Sequence, residues 1–498
     1  MKDVNMVKNK FNLFGIDESI IEALDVLGYT TPTEVQKEVV PLLLEKKDTV
    51  VQSQTGSGKT AAFGIPVCDT VEWEERYPQV LILTPTRELA TQIQEELFNI
   101  GRYKRLKVVS LFGKSSFQMQ VKQLKQRTHI VVATPGRLYD HIMQKTIDLS
   151  KINQVIIDEA DEMFAMGFIE QLDQIMPRLP KKRNTALFSA TMPDAVKRLS
   201  KKYLENPVYV EIKKTGEQKQ RISQYYQWAA DDEKLSQFKD TLMVENPETS
   251  IIFCNTKVMV EELTKQLKNL GVNCEMLHGG MEQRDRTRVI KDYKRGYIHC
   301  LVATDVAARG IDVSDIKLVV NYDIPDKVET YTHRIGRTAR FEKSGKAISF
   351  VNSKDKSSFK AILAKQGDSL EEMRCPNQEL VKEMKRPFLD RQLESPKLRK
   401  EKGLSFNEDI MKIHINAGKK QKMRAGDIVG ALCQIDGMTA DDIGVIDLLD
   451  ISTFVDILNG KGDLVLKTLQ TKPIKGRLRK VNKSNVTKYE QDLQKYQR

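Results

Sequence analysis

Short runs of Val, Ile and Leu, separated by amphipathic stretches, constrain the fold of this chain most strongly. Early in the chain these runs are VLILTP (80–85), KVVSLF (107–112), HIVVAT (129–134), QVIIDEAD (154–161) and TALFSAT (185–191). The pattern recurs at 250–256, 274–279, 299–305, 316–323 and 346–351. Continuous apolar strands with helices between them are typical of parallel sheets covered on both faces. The pattern therefore predicts two α/β domains, with a boundary near 206–222.

A different order of elements follows the second of these domains. Residues 366–405 are polar and charged, with scattered apolar residues, and predict a partly helical linker. Beyond them the order is strand, helix, strand, strand, helix, strand, at 411–418, 424–438, 442–450, 452–460, 462–471 and 476–483. RRM-type RNA-binding modules use this β-α-β-β-α-β order. The predicted organisation is 1–206, 215–365, a linker at 366–405 and a small α+β domain at 406–485.

The segment VVQSQTGSGKTAAF (50–63) leads from an apolar run through glycines into a helical pattern. Gly56 and Gly58 allow a tight turn that brings backbone N–H groups close to phosphate oxygens. In such a loop Lys59 would reach the outer phosphates, and the Thr60 hydroxyl would ligate Mg²⁺. The strict pattern has Gly where this chain has Ser53, and a flexible turn with a surface lysine is the alternative. The strand–loop–helix context favours a nucleotide site.

Asp158 and Glu159 follow the apolar run QVII. An acid at a strand end downstream of a phosphate loop is the expected partner of Mg²⁺. Asp158 is predicted to hold the metal, and Glu159 to orient or deprotonate the attacking water. The alternative is an acidic helix N-terminus, which the helix dipole favours in any case.

Charge and cysteine usage narrow the class of protein. The 498 residues carry a net charge of +12, which suggests a polyanionic partner. The six cysteines lie far apart without a C-x-x-C pair, and predict reduced core residues in a cytosolic protein rather than disulfides or a zinc site. The first residues lack the apolar region of a signal peptide, and no run of about 18 apolar residues predicts a membrane span.

The motifs together resemble those of the DEAD-box ATP-dependent RNA helicases, over nearly the whole chain. In the first domain they are GYTTPTEVQ (28–36), SQTGSGKT (53–60), PTRELA (85–90), TPGR (134–137), DEAD (158–161) and SAT (189–191). In the second they are IIFCNT (251–256), HGGMEQRDR (278–286), VATDVAARGID (302–312) and HRIGRTAR (333–340). The resemblance implies two RecA-like parallel-sheet domains, ATP and Mg²⁺ as ligands, and RNA as the substrate.

The resemblance assigns roles around the nucleotide. Gln36 would read the adenine edge and Phe11 would stack on the ring, whereas a surface glutamine and a core anchor are the alternatives. The residues implied to bind the nucleotide are Phe11, Gln36, Thr55, Gly56, Ser57, Gly58, Lys59, Thr60 and Asp312. The implied catalytic set is Lys59, Asp158, Glu159, Arg337 and Arg340, with Thr60 and Asp158 as metal ligands. Arg337 and Arg340 would be arginine fingers, with a phosphate-binding or solvated pair as the alternative.

The resemblance also divides the RNA site between the two domains. ATP and RNA are therefore expected to favour the same closed state. The residues that would couple nucleotide state to closure are Asp161, Ser189, Thr191 and His333. RNA would be gripped by Arg87, Gly113, Thr134, Pro135 and Arg137 in the first domain and by Gln283, Arg286 and Thr304 in the second.

Three positions depart from the family pattern. Ser53 replaces an alanine, and its hydroxyl is expected to find a backbone partner. Lys114 replaces a glycine, which would restrict the approach of the backbone to RNA while offering a phosphate contact. Ala339 replaces a glycine, which would misplace Arg340 if that position needs a positive φ.

The C-terminal residues 411–498 contain sixteen Lys/Arg and ten Asp/Glu, a net charge of +6. The basic residues form two clusters. The first is Lys419, Lys420, Lys422 and Arg424, and the second is Lys475, Arg477, Arg479, Lys480 and Lys483. They would form one surface if the outer strands lie together, and solvated loop charge is the alternative. Phe454 and Val455 fall on opposite faces of one strand, and Phe454 is expected in the core rather than as a platform for bases.

Residues 418–450 resemble the RNA-binding domain of DbpA-type helicases. The resemblance implies binding to a 23S ribosomal RNA hairpin and a role in large-subunit assembly, with pre-50S particles as partners of a cytoplasmic monomer. One alternative is a general DEAD-box helicase in mRNA turnover or cold stress. The other is an ATP-gated RNA-binding clamp without productive turnover.

Overall fold

The structure, a computed structural model, describes residues 9–53, 56–212, 222–308, 316–338, 344–484 and 487–496. The predicted fold class is confirmed: in these residues two parallel sheets of seven strands precede a small antiparallel sheet of four strands. Within the described residues, no helix is long and apolar enough to cross a membrane.

The first sheet has the strand order β3-β4-β2-β5-β6-β1-β7, and every pair of neighbours is parallel. Its strands are β1 Thr49–Gln52, β2 Val80–Leu83, β3 Val108–Leu111, β4 Ile130–Ala133, β5 Gln154–Ile157, β6 Asn184–Ser189 and β7 Val208–Glu211. The helices of this domain are α1 Glu18–Val26, α2 Glu34–Leu44, α3 Lys59–Thr70, α4 Arg87–Ile100, α5 Phe117–Leu124, α6 Pro135–Met143, α7 Ala160–Ala165, α8 Ile169–Ile175 and α9 Asp194–Tyr203. The central strands are buried on both faces, which explains their continuous apolar sequences.

The second sheet repeats this architecture with the order β10-β11-β9-β12-β13-β8-β14. Its strands are β8 Ile222–Trp228, β9 Ser250–Phe253, β10 Cys274–Leu277, β11 Cys300–Ala303, β12 Leu318–Asn321, β13 Gly345–Val351 and β14 Leu370–Glu372. The helices are α10 Lys234–Glu245, α11 Lys257–Asn269, α12 Gln283–Arg295, α13 Asp305–Ala308, α14 Val328–Ile335, α15 Lys356–Gln366 and α16 Gln378–Leu393. In both sheets the carboxyl ends of parallel strands share one edge, where the loops carry the motifs.

The segment predicted as a linker differs from the expectation over 370–393. Strand β14 pairs with β8 at the edge of the second sheet, and α16 packs on the same domain. Val381 and Phe388 are buried because a spacing of seven residues places them on one face of the helix. Strand β7 likewise extends the first sheet beyond residue 206. These edge strands are only partly buried, so their sequences lack the apolar runs that marked the central strands.

The C-terminal domain has the predicted β-α-β-β-α-β order. Strands β15 Met411–Ile415, β16 Ile443–Leu448, β17 Thr453–Ile457 and β18 Val481–Lys483 form an antiparallel sheet of order β16-β17-β15-β18. Helices α17 Ala425–Cys433 and α18 Gly462–Thr468 cover one face, and α19 Lys488–Tyr496 follows the last strand. Ile413, Val455 and Val481 point into the core beneath the helices.

Two side-chain expectations are wrong. Phe454 is not in the core: it lies half-buried on the opposite face of the sheet from Val455, with its ring 4.9 Å from that of His414. The alternation of a strand separates these two neighbours but does not say which face is covered. Of the six free cysteines, Cys375 and Cys433 are exposed rather than core residues.

Candidate nucleotide and RNA sites

The loop between β1 and α3 has the backbone geometry of a phosphate cradle. Gly56 and Gly58 have φ angles of 83° and 93°, a region that glycine adopts at little cost. Helix α3 begins at Lys59, whose buried ammonium donates a hydrogen bond to Ser53 O at 3.0 Å. Thr60 lies in the first turn and is half-buried. The N-terminus of α3 and the Lys59 charge are therefore placed for an anionic ligand.

The Q-motif segment holds this loop directly. Thr33 Oγ1 donates to Ser57 O at 2.9 Å, and Gln36 Nε2 donates to Gly58 O at 3.2 Å. Gln36 is buried, and its Oε1 accepts from Thr33 N at 2.8 Å. A Cβ on Gly58 would lie 2.7 Å from Gln36 Nε2, so only glycine fits here without displacing that amide. The sequence reasoning missed the role of Thr33, although it lies inside the quoted motif.

Two expectations about this region do not match the structure. Phe11 is fully buried and packs edge-on against Phe14, so its ring has no exposed face for adenine and fits the alternative of a core anchor. Among the described residues, the Ser53 hydroxyl meets the hydroxyl of Ser57 at 3.2 Å and no backbone group. The Ser53 amide instead donates to Ser189 O at 3.0 Å, which connects the loop to the SAT segment.

The acidic motif stands at the end of β5, close to Lys59. Burial raises the pKa of Asp158, against the opposing charge of Lys59. Burial, and then the charge of Asp158, raise the pKa of Glu159 to about 7. Glu159 also has a φ of 50°, a conformation that costs on the order of 1–3 kcal/mol outside glycine. A strained, half-buried carboxyl with a pKa near neutrality can accept a proton at physiological pH.

Asp161 and the SAT segment form one hydrogen-bonded unit. Asp161 Oδ2 accepts from Thr191 N at 2.9 Å and from Thr191 Oγ1 at 2.7 Å. Ser189 Oγ accepts from Asp161 N at 3.2 Å and donates to Thr191 O at 2.7 Å. A shift of the acidic loop would therefore be transmitted to β6.

Residues of the second domain reach into this acidic site. Arg337 is buried, and its charge opposes the rise in the pKa of Glu159. His333 Nδ1 lies 2.7 Å from Glu162 Oε1, a residue that the sequence reasoning did not single out. A small cavity between the domains is lined by Lys59, Glu159, Asp161, Glu162, Ala190, His333 and Arg337. Three of the predicted catalytic residues, Lys59 and Glu159 of the first domain and Arg337 of the second, thus lie around one small cavity.

Arg334, between His333 and Arg337, was also missed by the sequence reasoning. Its side chain is 1% exposed and grips Asp305 through two bonds, Nε to Oδ1 at 2.6 Å and Nη2 to Oδ2 at 2.7 Å. The guanidinium also donates to Asn255 Oδ1, Asn321 Oδ1 and Asp323 O. This fork joins the loops after β9, β11 and β12 and holds α14, which carries His333.

The predicted RNA residues of the two domains meet across the cleft. Arg87 Nη1 donates to Gln283 Oε1 at 2.7 Å, and Arg286 Nη2 lies 2.8 Å from Glu88 Oε1. Arg137 is held by Ser115 O and Gln120 Oε1. Thr134 and Pro135 are buried at the start of α6, Thr304 precedes α13, and Gly113 has open space around it. The domains are therefore closed on each other in this structure.

Lys114 has a positive φ, a conformation that glycine adopts at little cost. Its φ is 54°, and its side chain is exposed. The expected restriction of the backbone therefore takes the form of strain, because a non-glycine residue at this positive φ costs roughly 1–2 kcal/mol. The expectations for Thr55, Asp312, Ala339 and Arg340 lie outside the described residues.

The two basic clusters of the C-terminal domain lie together, as β15 and β18 are neighbours. Lys475 Nζ donates to Lys422 O at 2.7 Å and to Asp427 Oδ2 at 2.9 Å. The exposed members of this basic surface are Lys419, Lys420, Lys422, Arg424, Lys475, Arg477 and Lys480, and Arg479 is half-buried beside them.

Known proteins resemble this chain throughout its length. Family models for the DEAD/DEAH box helicase, the helicase conserved C-terminal domain and the DbpA RNA binding domain match residues 33–199, 233–342 and 412–483. ATP-dependent RNA helicase DbpA of Bacillus subtilis (strain 168) is 50% identical over 475 residues, which are 95% of this chain and 99% of the relative. DEAD-box ATP-dependent RNA helicase CshA of Streptococcus pneumoniae is 45% identical over 342 residues, 69% of this chain and 65% of the relative.

A solved structure shows the same core. S. cerevisiae Dbp5 bound to RNA and ADP BeF3 superposes with a TM-score of 0.69 at 31% identity, covering 76% of this chain and 100% of that chain. The likeness therefore includes both parallel sheets in a related arrangement, in a protein whose RNA and nucleotide were bound.

Proposed function

The chain belongs to the DEAD-box ATP-dependent RNA helicases of the DbpA type, and from that premise we propose that it remodels short duplexes of 23S ribosomal RNA during assembly of the large ribosomal subunit. It would work as a cytoplasmic monomer on pre-50S particles. The observation that carries this proposal is the exposed basic surface on a domain that matches the DbpA RNA binding domain.

The nucleotide half of the proposal rests on the charged groups of both core domains that meet around one small cavity. Lys59 and the amides of the glycine loop would bind the phosphates, while Gln36 would turn its amide to the adenine edge. Glu159 would accept the proton of the attacking water, because its half-buried carboxyl has a pKa of about 7. Arg337 would stabilise the charge that develops on the transferred phosphoryl group.

The residues at this site fit Mg²⁺. Among the described residues, no group of three or more His, Cys, Asp or Glu side chains could hold a metal ion. Mg²⁺ in such enzymes needs one or two protein oxygens beside the phosphates, and Thr60 and Asp158 supply a hydroxyl and a buried carboxyl. Bound there, the ion neutralises charge on the phosphates.

Closure links ATP to RNA in this proposal. The pairs Arg87–Gln283 and Glu162–His333 exist only when the domains approach, and both lie beside predicted ligand residues. If ATP and RNA both bind the closed state more tightly, each must therefore increase the affinity for the other. The gripped strand would bend and leave its partner, and hydrolysis would reopen the core.

The ribosomal assignment is tested by RNA-stimulated ATPase activity at nanomolar protein. The RNA panel is a 23S rRNA fragment that carries the peptidyl-transferase-region hairpin, an unrelated structured RNA of equal length, and poly(A). We expect selective activation by the 23S fragment and its loss in the double variant Lys422→Glu/Arg477→Glu. The control variant Lys360→Glu/Lys365→Glu changes the charge equally on exposed α15 residues and should keep the preference. Equal activation by all three RNAs would instead favour the general helicase role.

A second experiment separates ATP hydrolysis from binding of the rRNA hairpin by the C-terminal domain. Lys59→Ala and Glu159→Gln are expected to abolish ATP hydrolysis while the hairpin still binds with nearly unchanged affinity. Joint loss of hydrolysis and hairpin binding in either variant would contradict the division of labour between the core and the C-terminal domain.

A further inference from the structure

Acidic residues of the C-terminal domain lie against a basic surface of the first core domain. Lys107 Nζ lies 2.7 Å from Asp447 Oδ1, and Arg102 Nη2 lies 3.5 Å from Asp456 Oδ2. Asp456 is 1% exposed, and Arg102 is also buried. The more exposed rim of the contact adds two pairs, Lys122 with Asp450 at 2.7 Å and Arg105 with Asp441 at 3.2 Å. All four pairs match an acid of one domain with a base of the other.

These acids belong to the outer face and the β16 edge of the C-terminal sheet. Asp447 stands opposite Phe454 in the register, and Asp456 stands opposite Lys412. RRM-type modules stack RNA bases on aromatic side chains of this face. An RNA backbone bound on this face would be repelled by the two carboxylates. A basic protein surface has the complementary charge and is attracted to them.

An apolar anchor accompanies the charges. Phe406 is 0% exposed and belongs to the core cluster of the first domain, with its ring 5.6 Å from that of Tyr103. The Arg102 guanidinium lies 5.1 Å from the same ring. Ile410 and Leu458 join that cluster from the same end of the neighbouring strands β15 and β17. The contact therefore has a buried centre and a polar rim, as specific interfaces do.

Residues 394–410, which we call the strap, include Phe406 and also contact the second core domain. Arg399 N donates to Arg295 O at 2.9 Å, and Glu401 Oε1 accepts from Arg295 Nε at 2.8 Å. Beyond the C-terminal sheet, Tyr297 OH donates to Asp492 Oδ2 at 2.7 Å. The strap and the C-terminal domain thus contact both core domains at once.

We propose that the acidic face of the C-terminal sheet is a docking surface for the basic side of the first core domain, and that this docked domain with its strap is an internal clamp that stabilises the closed core. The clamp contacts both core domains only at their closed separation, so docking and closure must favour each other. Docking leaves the basic surface at Lys422 and Arg477 exposed to RNA. The inference rests on the proposed function in one respect, namely that the closed core is the state that binds RNA.

Docking is tested by single-molecule energy transfer in the full chain. One dye is placed on the exposed Cys433 and the other on Lys182→Cys, in a Cys375→Ser background. In Asp447→Lys the new ammonium group faces that of Lys107, and the two positive charges repel each other. We therefore expect the docked population to fall about ten-fold relative to the undocked one. The double variant Asp447→Lys/Lys107→Glu should restore docking, because it rebuilds the pair with the charges exchanged.

Closure is read separately, with dyes on Lys182→Cys and Lys365→Cys after both exposed native cysteines are changed to Ser. With a non-hydrolysable ATP analogue and poly(A), we expect Asp447→Lys and Phe406→Ala each to lower the closed population and to raise the half-saturating RNA concentration several-fold. The affinity for the 23S hairpin should stay unchanged, which keeps this test independent of the ribosomal assignment.

Three results would overturn the proposal. An unchanged docked population in both Asp447→Lys and Phe406→Ala would exclude the docking surface. Loss of docking with an unchanged closed population would exclude the clamp. Loss of hairpin affinity in Asp447→Lys would assign the sheet face to RNA instead.

Discussion

Replacement of Arg334 by Met is expected to destabilise the second core domain strongly. Arg334 is 1% exposed, and its fork satisfies both oxygens of Asp305. Met keeps most of the aliphatic stem, so the main effect is a carboxylate left without its cation. Breaking a buried pair in this way costs about 3–5 kcal/mol. Asp305 is 22% exposed and regains some hydration, so we expect the lower end, roughly 3 kcal/mol.

The assay uses the two tryptophans of the chain, which lie in different core domains. In a Trp73→Phe background, the fluorescence of Trp228 reports unfolding of the second domain alone. Urea titration should give the loss in unfolding free energy from the shift of the midpoint at constant slope. For a domain of this size, a loss of about 3 kcal/mol corresponds to roughly 6–12 °C in melting temperature.

Two further variants make the reasoning refutable. Arg386→Met removes an arginine whose side chain is 92% exposed and should change the free energy of unfolding by less than about 0.5 kcal/mol. Arg334→Met/Asp305→Asn should recover much of the loss, because no unpaired buried charge remains. A loss below about 1 kcal/mol in Arg334→Met would refute the argument, as would a double variant no more stable than the single one.

Three further changes test the nucleotide site and the strained loop. Gly58→Ala should raise the KM for ATP about ten-fold in steady-state ATPase assays, because the new Cβ strains the backbone and displaces the Gln36 amide. His333→Ala removes the bond to Glu162, so a non-hydrolysable ATP analogue should tighten RNA binding about five-fold less than in the parent, measured by fluorescence anisotropy. Lys114→Gly relieves a positive φ and should stabilise the first domain by up to about 1 kcal/mol in urea titrations.

The Gly58→Ala variant has a matched control in the chain. Gly430→Ala adds a Cβ that meets nothing in an exposed helix position and should leave the KM for ATP unchanged. An unaltered KM in Gly58→Ala would contradict the steric argument. Equal ATP-dependent tightening in His333→Ala and the parent would remove that histidine from the coupling path, and an unchanged midpoint in Lys114→Gly would show that the loop stores no strain.

Sequence reasoning worked where one local pattern carried the information. Asp158 follows a run of apolar residues, so its place at a strand end was predictable, and the structure puts it near Lys59. It failed where burial depends on what covers a surface. Phe11 is in the core, which was the alternative to its implied stacking on adenine, and Phe454 is half-buried rather than in the core. Neither spacing nor strand alternation says which face another element will cover.

The partners of charged side chains were the least predictable. The sequence reasoning singled out neither Glu162 nor Arg334, since each is one charge among many in a motif. Their importance comes from partners that the chain supplies far away, His333 for Glu162 and Asp305 for Arg334. No periodicity or spacing encodes such a pair.

The sequence by itself determined the two parallel sheets, the order of elements in the third domain and the chemistry of the glycine loop and acidic motif. These follow from side-chain period and turn residues, which act over a few neighbouring positions. Only the tertiary structure decided which distant residues meet. Arg87 finds Gln283 and Lys107 finds Asp447 through the packing of whole domains, because the free energy of such contacts depends on separation and burial rather than on distance along the chain.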